Sequence, residues 1–117
     1  MVKKGKYFET KAKRLLQLRM WRIIKENYRC RLGEIDLIAQ NLRKTHMIFV
    51  EVRYRNSQSH GGSIESIDIH KQRKIIKTAE HFLMTHPHFY DCILRFDAIC
   101  FDSNNKFEWI QDAFRVE

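Results

Sequence analysis

Nowhere does this 117-residue sequence contain the continuous apolar run that a membrane span or the core of a signal peptide needs. The lysines at positions 3, 4 and 6 lead into charged, amphipathic sequence, so the expectation is a cytoplasmic chain with no membrane partner. Cysteine is scarce. Cys30, Cys92 and Cys100 are odd in number and lack CxxC spacing, which fits reduced thiols and not a disulfide framework. His86, His88 and Cys92 match no standard zinc spacing and read as residues at a helix end. No internal repeat, low-complexity tract or linker interrupts the chain, so residues 1–117 are expected to form one domain.

Acidic residues are the other shortage. Fourteen Asp and Glu against 22 Lys and Arg leave a net charge of +8, which favours polyanionic partners, nucleic acid first and an anionic membrane surface second. A hydrophobic fraction of 44% with 12% aromatics suits a folded globule with a single core.

The few acids are distributed unevenly. In Gly33 to Arg55, GEIDLIAQNLRKTHMIFVEVRYR, two runs alternate with strand periodicity: Ile35, Leu37 and Ala39 against Glu34, Asp36 and Ile38, then Val50, Val52 and Tyr54 against Phe49, Glu51 and Arg53. A hairpin turning at Arg43 and Lys44 sets Asp36 opposite Glu51. Like charges across a ladder are destabilising and call for a counter-ion, a shared proton or another register. A divalent metal is the functional answer, and Mg²⁺ suits it, because it takes oxygen ligands and is held by one or two carboxylates with phosphate completing its shell. Arg53 projects from the same face, as phosphate chemistry would use it. The pattern equally fits an amphipathic hairpin whose acids face solvent.

The flanks read as support. Phe8, Ala12, Leu15 and Leu16 recur at helical spacing from about Lys4 to Arg19. Glu9 borders that stripe, placed either to reach the sheet end or to pair with Lys13. Trp21 to Arg31 reads as a strand and a tight connection, with Arg29 and Arg31 where they could touch backbone phosphates or form a solvated basic turn. Asn56 to Ser63, NSQSHGGS, reads as a loop. Asp68 is placed to cap a helix with Ile75, Ile76, Ala79, Phe82 and Leu83 on one face, ending before Pro87. Lys71 in its first turn is disfavoured by the helix dipole and suggests an anionic contact. Ile93 to Phe101 and Phe107 to Ile110 form a second hairpin around Ser103 to Asn105, with Arg95 and Asp97 on one face. The order is helix, three strands, helix, two strands, a mixed α/β layer.

The GEIDLIA block at Gly33 to Ala39 and FVEVR at Phe49 to Arg53, supported by the Glu9 to Ala12 spacing, Lys71 and RFDA at Arg95 to Ala98, resemble the YraN family of small bacterial proteins. That family is placed among the PD-(D/E)xK nuclease-like folds, close in shape to archaeal Holliday junction resolvases. The resemblance implies a restriction-endonuclease-like core, a mixed central sheet of about five strands flanked by helices. It implies Asp36 and Glu51 as metal-binding acids for Mg²⁺ or Mn²⁺, with Glu9 as a third acid and the Val52 carbonyl as a further ligand. Arg53 and Lys71 are the basic members of the catalytic set, and Arg29, Arg31, Arg55 and Lys71 the nucleic-acid contacts. DNA, branched DNA included, is the implied substrate, and a homodimer the implied assembly.

One departure stands out. The family motif ends in a lysine where this chain has Arg53. Arginine matches phosphate oxygens but cannot act as a base. Either the enzyme works with arginine, or Lys71 substitutes, or the site has become a binding module without cleavage.

Overall fold

The computed structural model describes residues 4–55 and 67–116; the expected loop at 56–63 lies outside them. The first helix, α1 (Lys4–Leu18), is followed by β1 (Trp21–Cys30), β2 (Gly33–Asn41) and β3 (His46–Tyr54), then α2 (Ile69–Thr85), a 3-10 turn at Pro87–Phe89, β4 (Ile93–Phe101) and β5 (Phe107–Phe114). The five strands form one sheet in the order β1-β2-β3-β4-β5. Every neighbouring pair is antiparallel except β3 and β4, which run parallel because the segment containing α2 crosses between them. This is the α/β architecture that the residues and the resemblance anticipated, a mixed sheet flanked by two helices.

Local chemistry sets the boundaries. The α1 helix stops where Arg19 bonds back to the Leu15 and Leu16 carbonyls and Met20 turns to a positive φ of 71°. Between β2 and β3, the Asn41 side chain accepts from the amides of Thr45 and His46, each at 2.9 Å, while Lys44 takes a φ of 61°. That closed turn pins the register: Leu37 faces Val50 and Gln40 faces Met47, the alignment expected for a turn at Arg43 and Lys44. Asp68 caps α2 by accepting from the Lys71 amide at 2.8 Å, and Pro87 opens the 3-10 turn directly after the helix.

Side chains pack on both faces of the sheet. Phe8, Ala12 and Leu16 of α1 meet Leu37, Ala39, Ile48, Val50, Ile99 and Phe101. On the other face Ile75, Ala79, Phe82 and Leu83 of α2 meet Ile35, Ile38, Met47, Phe49 and Phe96. Ile76, expected on that inner face, is only half buried at its margin. Ile35 and Leu37 therefore fall on opposite faces, which corrects the simple alternation read from the sequence. The break sits at Asp36: Asn27, at the gap in the β1–β2 pairing across from it, has a φ of 51°, and the β2–β3 ladder ends at Leu37 and Val50.

A comparable irregularity marks the far hairpin. Asp97 is fully buried, and its carboxylate accepts from Arg95 through two bonds of 2.8 Å, from Trp109 Nε1 at 2.9 Å and from the Asp112 amide at 3.0 Å. Arg95 and Asp97 do pair, then, but inside a larger network that satisfies a charge no core could otherwise hold. Because Asp112 gives its amide to that carboxylate at a φ of 53°, β5 bulges and runs on to Phe114, beyond the expected end at Ile110.

Candidate metal and nucleic-acid site

Where β2 and β3 separate, the backbone leaves an amide unpaired by the ladder, and a side chain takes it. Asp36 Oδ2 accepts from the Val52 N–H at 2.8 Å. This bond holds the Asp36 carboxyl beside the end of β3 and therefore beside Glu51. Glu51 is only 6% exposed and lies on the α2 face, two residues beyond Phe49. Burial, the charge of Asp36 and a hydrogen bond with that carboxyl push Glu51 up to about 8, against the opposing pull of Lys71 and Arg53. The pair answers its own repulsion by keeping a proton.

Glu9 approaches from α1. It is half buried, and its pKa is raised by burial and then by Asp36; a hydrogen bond from Asn27 opposes this, Glu34 adds to it and Arg29 relieves it. Lys13, the alternative partner for Glu9, pairs instead with Glu26 at 3.0 Å. Among the described residues no three His, Cys, Asp or Glu side chains converge closely enough to hold one metal ion. The acids thus form a contacting pair, Asp36 and Glu51, with Glu9 in the surrounding field.

The cations fall into two sets. Arg53 and Lys71 both stand within electrostatic reach of Glu51, so the anionic contact suggested by a lysine in the first turn of α2 is the acid pair to which Glu51 belongs. Arg29 pairs with Glu34 at 3.0 Å on the exposed side of β1 and β2, and Arg31 is exposed in the turn that follows. Arg55, half buried, gives its amide to the Phe101 carbonyl at 2.9 Å. His86 stacks on Phe82 with ring centres 4.2 Å apart, His88 lies against Phe89, and Cys92 bonds with Gln40. These three belong to the packing at the end of α2.

The donor set fits a hard divalent cation. Two carboxyl groups in contact, one of them holding a proton through burial and then the charge of its neighbour, are the oxygen donors that Mg²⁺ accepts while retaining waters and substrate phosphate. Asn27 is the member that sequence reasoning missed. Its signal was an asparagine within a strand-like run, where that residue is depleted and tolerates the left-handed backbone.

Comparison with known proteins places these residues in context. Residues 8–101 match the family described as Uncharacterised protein family UPF0102. A UPF0102 protein of Alcanivorax borkumensis is 39% identical over 97% of this chain and 92% of its own length. One from Psychromonas ingrahamii is 46% identical over 96% of this chain and 89% of its own. Among solved structures, Pyrococcus furiosus SfsA in complex with Ca²⁺ aligns with 96% of this chain and 64% of its own at 14% identity, with a TM-score of 0.30. Among the described residues no helix is long and apolar enough to cross a membrane.

Proposed function

The chain belongs to the UPF0102 family, the YraN family, and on that premise we propose that it binds nucleic acid and hydrolyses phosphodiester bonds in DNA, branched DNA included, with a divalent metal. The observation that carries this reading is the buried contact between Asp36 and Glu51, flanked by Arg53 and Lys71. Held by Asp36 and Glu51, with the Val52 carbonyl as a further oxygen donor and Glu9 adding negative charge from α1 without joining the ligand set, Mg²⁺ or Mn²⁺ would supply an activated water and neutralise phosphate charge.

The protein's own groups do the rest. Asp36, fixed by the Val52 amide, orients the acid pair. Arg53 and Lys71 attract the scissile phosphate and stabilise the charge that builds on it. A guanidinium serves phosphate through its charge and its planar donor fork, and that is the role of Arg53. Arg29, Arg31 and Arg55 contact the flanking backbone.

Calorimetric titration of Mn²⁺ or Mg²⁺ into wild type and an Asp36→Asn, Glu51→Gln variant, with cleavage of a branched DNA followed on the same samples, tests the reading. Wild type is expected to bind metal and cleave. The variant should lose binding, and its cleavage should fall at least ~100-fold, the usual cost of removing one transition-state-stabilising group. Equal cleavage by both proteins overturns the assignment. Arg53 in the motif's lysine position favours one alternative, a nuclease-fold module that binds without cutting. Salt-sensitive DNA binding with no cleavage under any metal selects it.

A further inference from the structure

The outward face of α2 is basic beyond anything the acid pair requires. His70, Arg73, Lys74 and Lys77 are all exposed; Glu80 is the single acid of α2 and shares this face with Arg73 and Lys77, yet among the described residues Arg73, Lys74 and Lys77 enter no ion pair, so the face stays net positive. On α1 the comparable cations are partly spent: Lys13 binds Glu26 at 3.0 Å, and Lys11 binds Asn105 at 2.9 Å and lies over the Tyr7 ring. Uncompensated cations on one helix repel one another and persist most cheaply opposite a polyanion.

The α2 face is continuous with the site. Lys71 reaches Glu51 electrostatically. One turn on, α2 presses against the start of β2 so closely that a side-chain carbon added at Gly33 would lie 3.6 Å from Lys74 Cβ. From Lys71 to Lys77 the helix rises ~9 Å, roughly three nucleotide steps at 3.4 Å along a strand. The face carries cations and no free amide to read adenine. Gln72, the one amide there, donates to the Ile67 carbonyl at 2.9 Å, and the exposed apolar side chains Ile69 and Met84 sit at the helix ends, leaving no apolar stripe for a lipid surface.

We infer that Arg73, Lys74 and Lys77 on the outer face of α2 form the track for the nucleic-acid backbone that flanks the reactive phosphate. This surface grips duplex phosphates without regard to sequence. The inference rests on the nucleic-acid reading above and adds to it the side of the molecule along which the duplex runs.

The test is fluorescence anisotropy with two labelled duplexes of unrelated sequence across a salt series. It compares wild type, Lys74→Gln with Lys77→Gln, and a control with Lys6→Gln and Arg14→Gln on exposed α1 positions, which removes the same charge. In the α2 variant the slope of log affinity against log salt should fall by about 2, at ~0.9 per lost contact. Its affinity should drop at least ~10-fold on both duplexes, while the control keeps the wild-type slope. Unchanged melting temperatures would show that all three proteins fold alike. Wild type that binds DNA with the same slope as the α2 variant, or a control that loses as much, overturns the track and leaves the nucleic-acid reading standing. Wild type that binds no DNA overturns both, as does binding to phosphatidylserine vesicles in place of DNA.

Discussion

Glu51 is the residue whose ionisation the fold resists. Unfolded, it titrates near the ordinary 4.5; folded, near 8. Between these values the folded chain holds the extra proton, so stability falls as pH rises through that window and levels off above it. Glu51→Gln keeps the shape and removes the titration. It should match wild type at pH 5 and exceed it by roughly 1–3 kcal/mol at pH 8.5, measured by urea denaturation at the two values. Parallel stability curves would mean that Glu51 ionises without cost. Its closeness to Asp36 was legible in the sequence, because a tight turn at Arg43 and Lys44 fixes the register. The sequence left a counter-ion, a shared proton and another register open, and the choice of the proton was not legible, since it depends on burial contributed by residues far along the chain.

Elements meet most closely where α2 crosses the start of β2. Gly33 has a φ of 154°, and a side-chain carbon there would lie 2.8 Å from Thr78 Oγ1. Thr78 is fully buried and donates to the Lys74 carbonyl at 2.7 Å, so it cannot swing aside. Gly33→Ala should cost about 2–3 kcal/mol through backbone strain and overpacking, and a second change, Thr78→Ala, should recover part of that loss. Additive losses in the double variant would mean that the contact is not the cause. The helix and strand here were both readable from periodicity, as was the Asp68 cap. Their contact was not, because a glycine before a strand signals a turn as readily as a close approach. The basic face of α2 was likewise visible as composition, but which cations remain uncompensated depends on acids brought up by other elements.

At the scale of the whole molecule, one sheet carries two cores, and strands common to both couple them. Phe82 is fully buried between Tyr28, Phe49 and Phe89 on the α2 face, whereas Trp21 and Trp109 pack at the margin of the α1 face. Phe82→Ala should destabilise the protein by about 3–5 kcal/mol. Tryptophan fluorescence from the opposite face and far-ultraviolet circular dichroism should report the same shifted transition. Two separated transitions would mean that the faces unfold independently.

The sequence by itself determined the element order, the β2–β3 register that brings Asp36 near Glu51, and the cap of α2, since each follows from neighbours within a turn, a helix face or a strand pair. Only the tertiary structure decided that the alternation breaks at Asp36, that Asp97 is buried in a satisfied network, that Lys71 comes within electrostatic reach of Glu51 and that burial holds the proton on Glu51. These outcomes rest on burial and charge supplied across the sheet by segments distant in the chain, and local pattern carries no record of them.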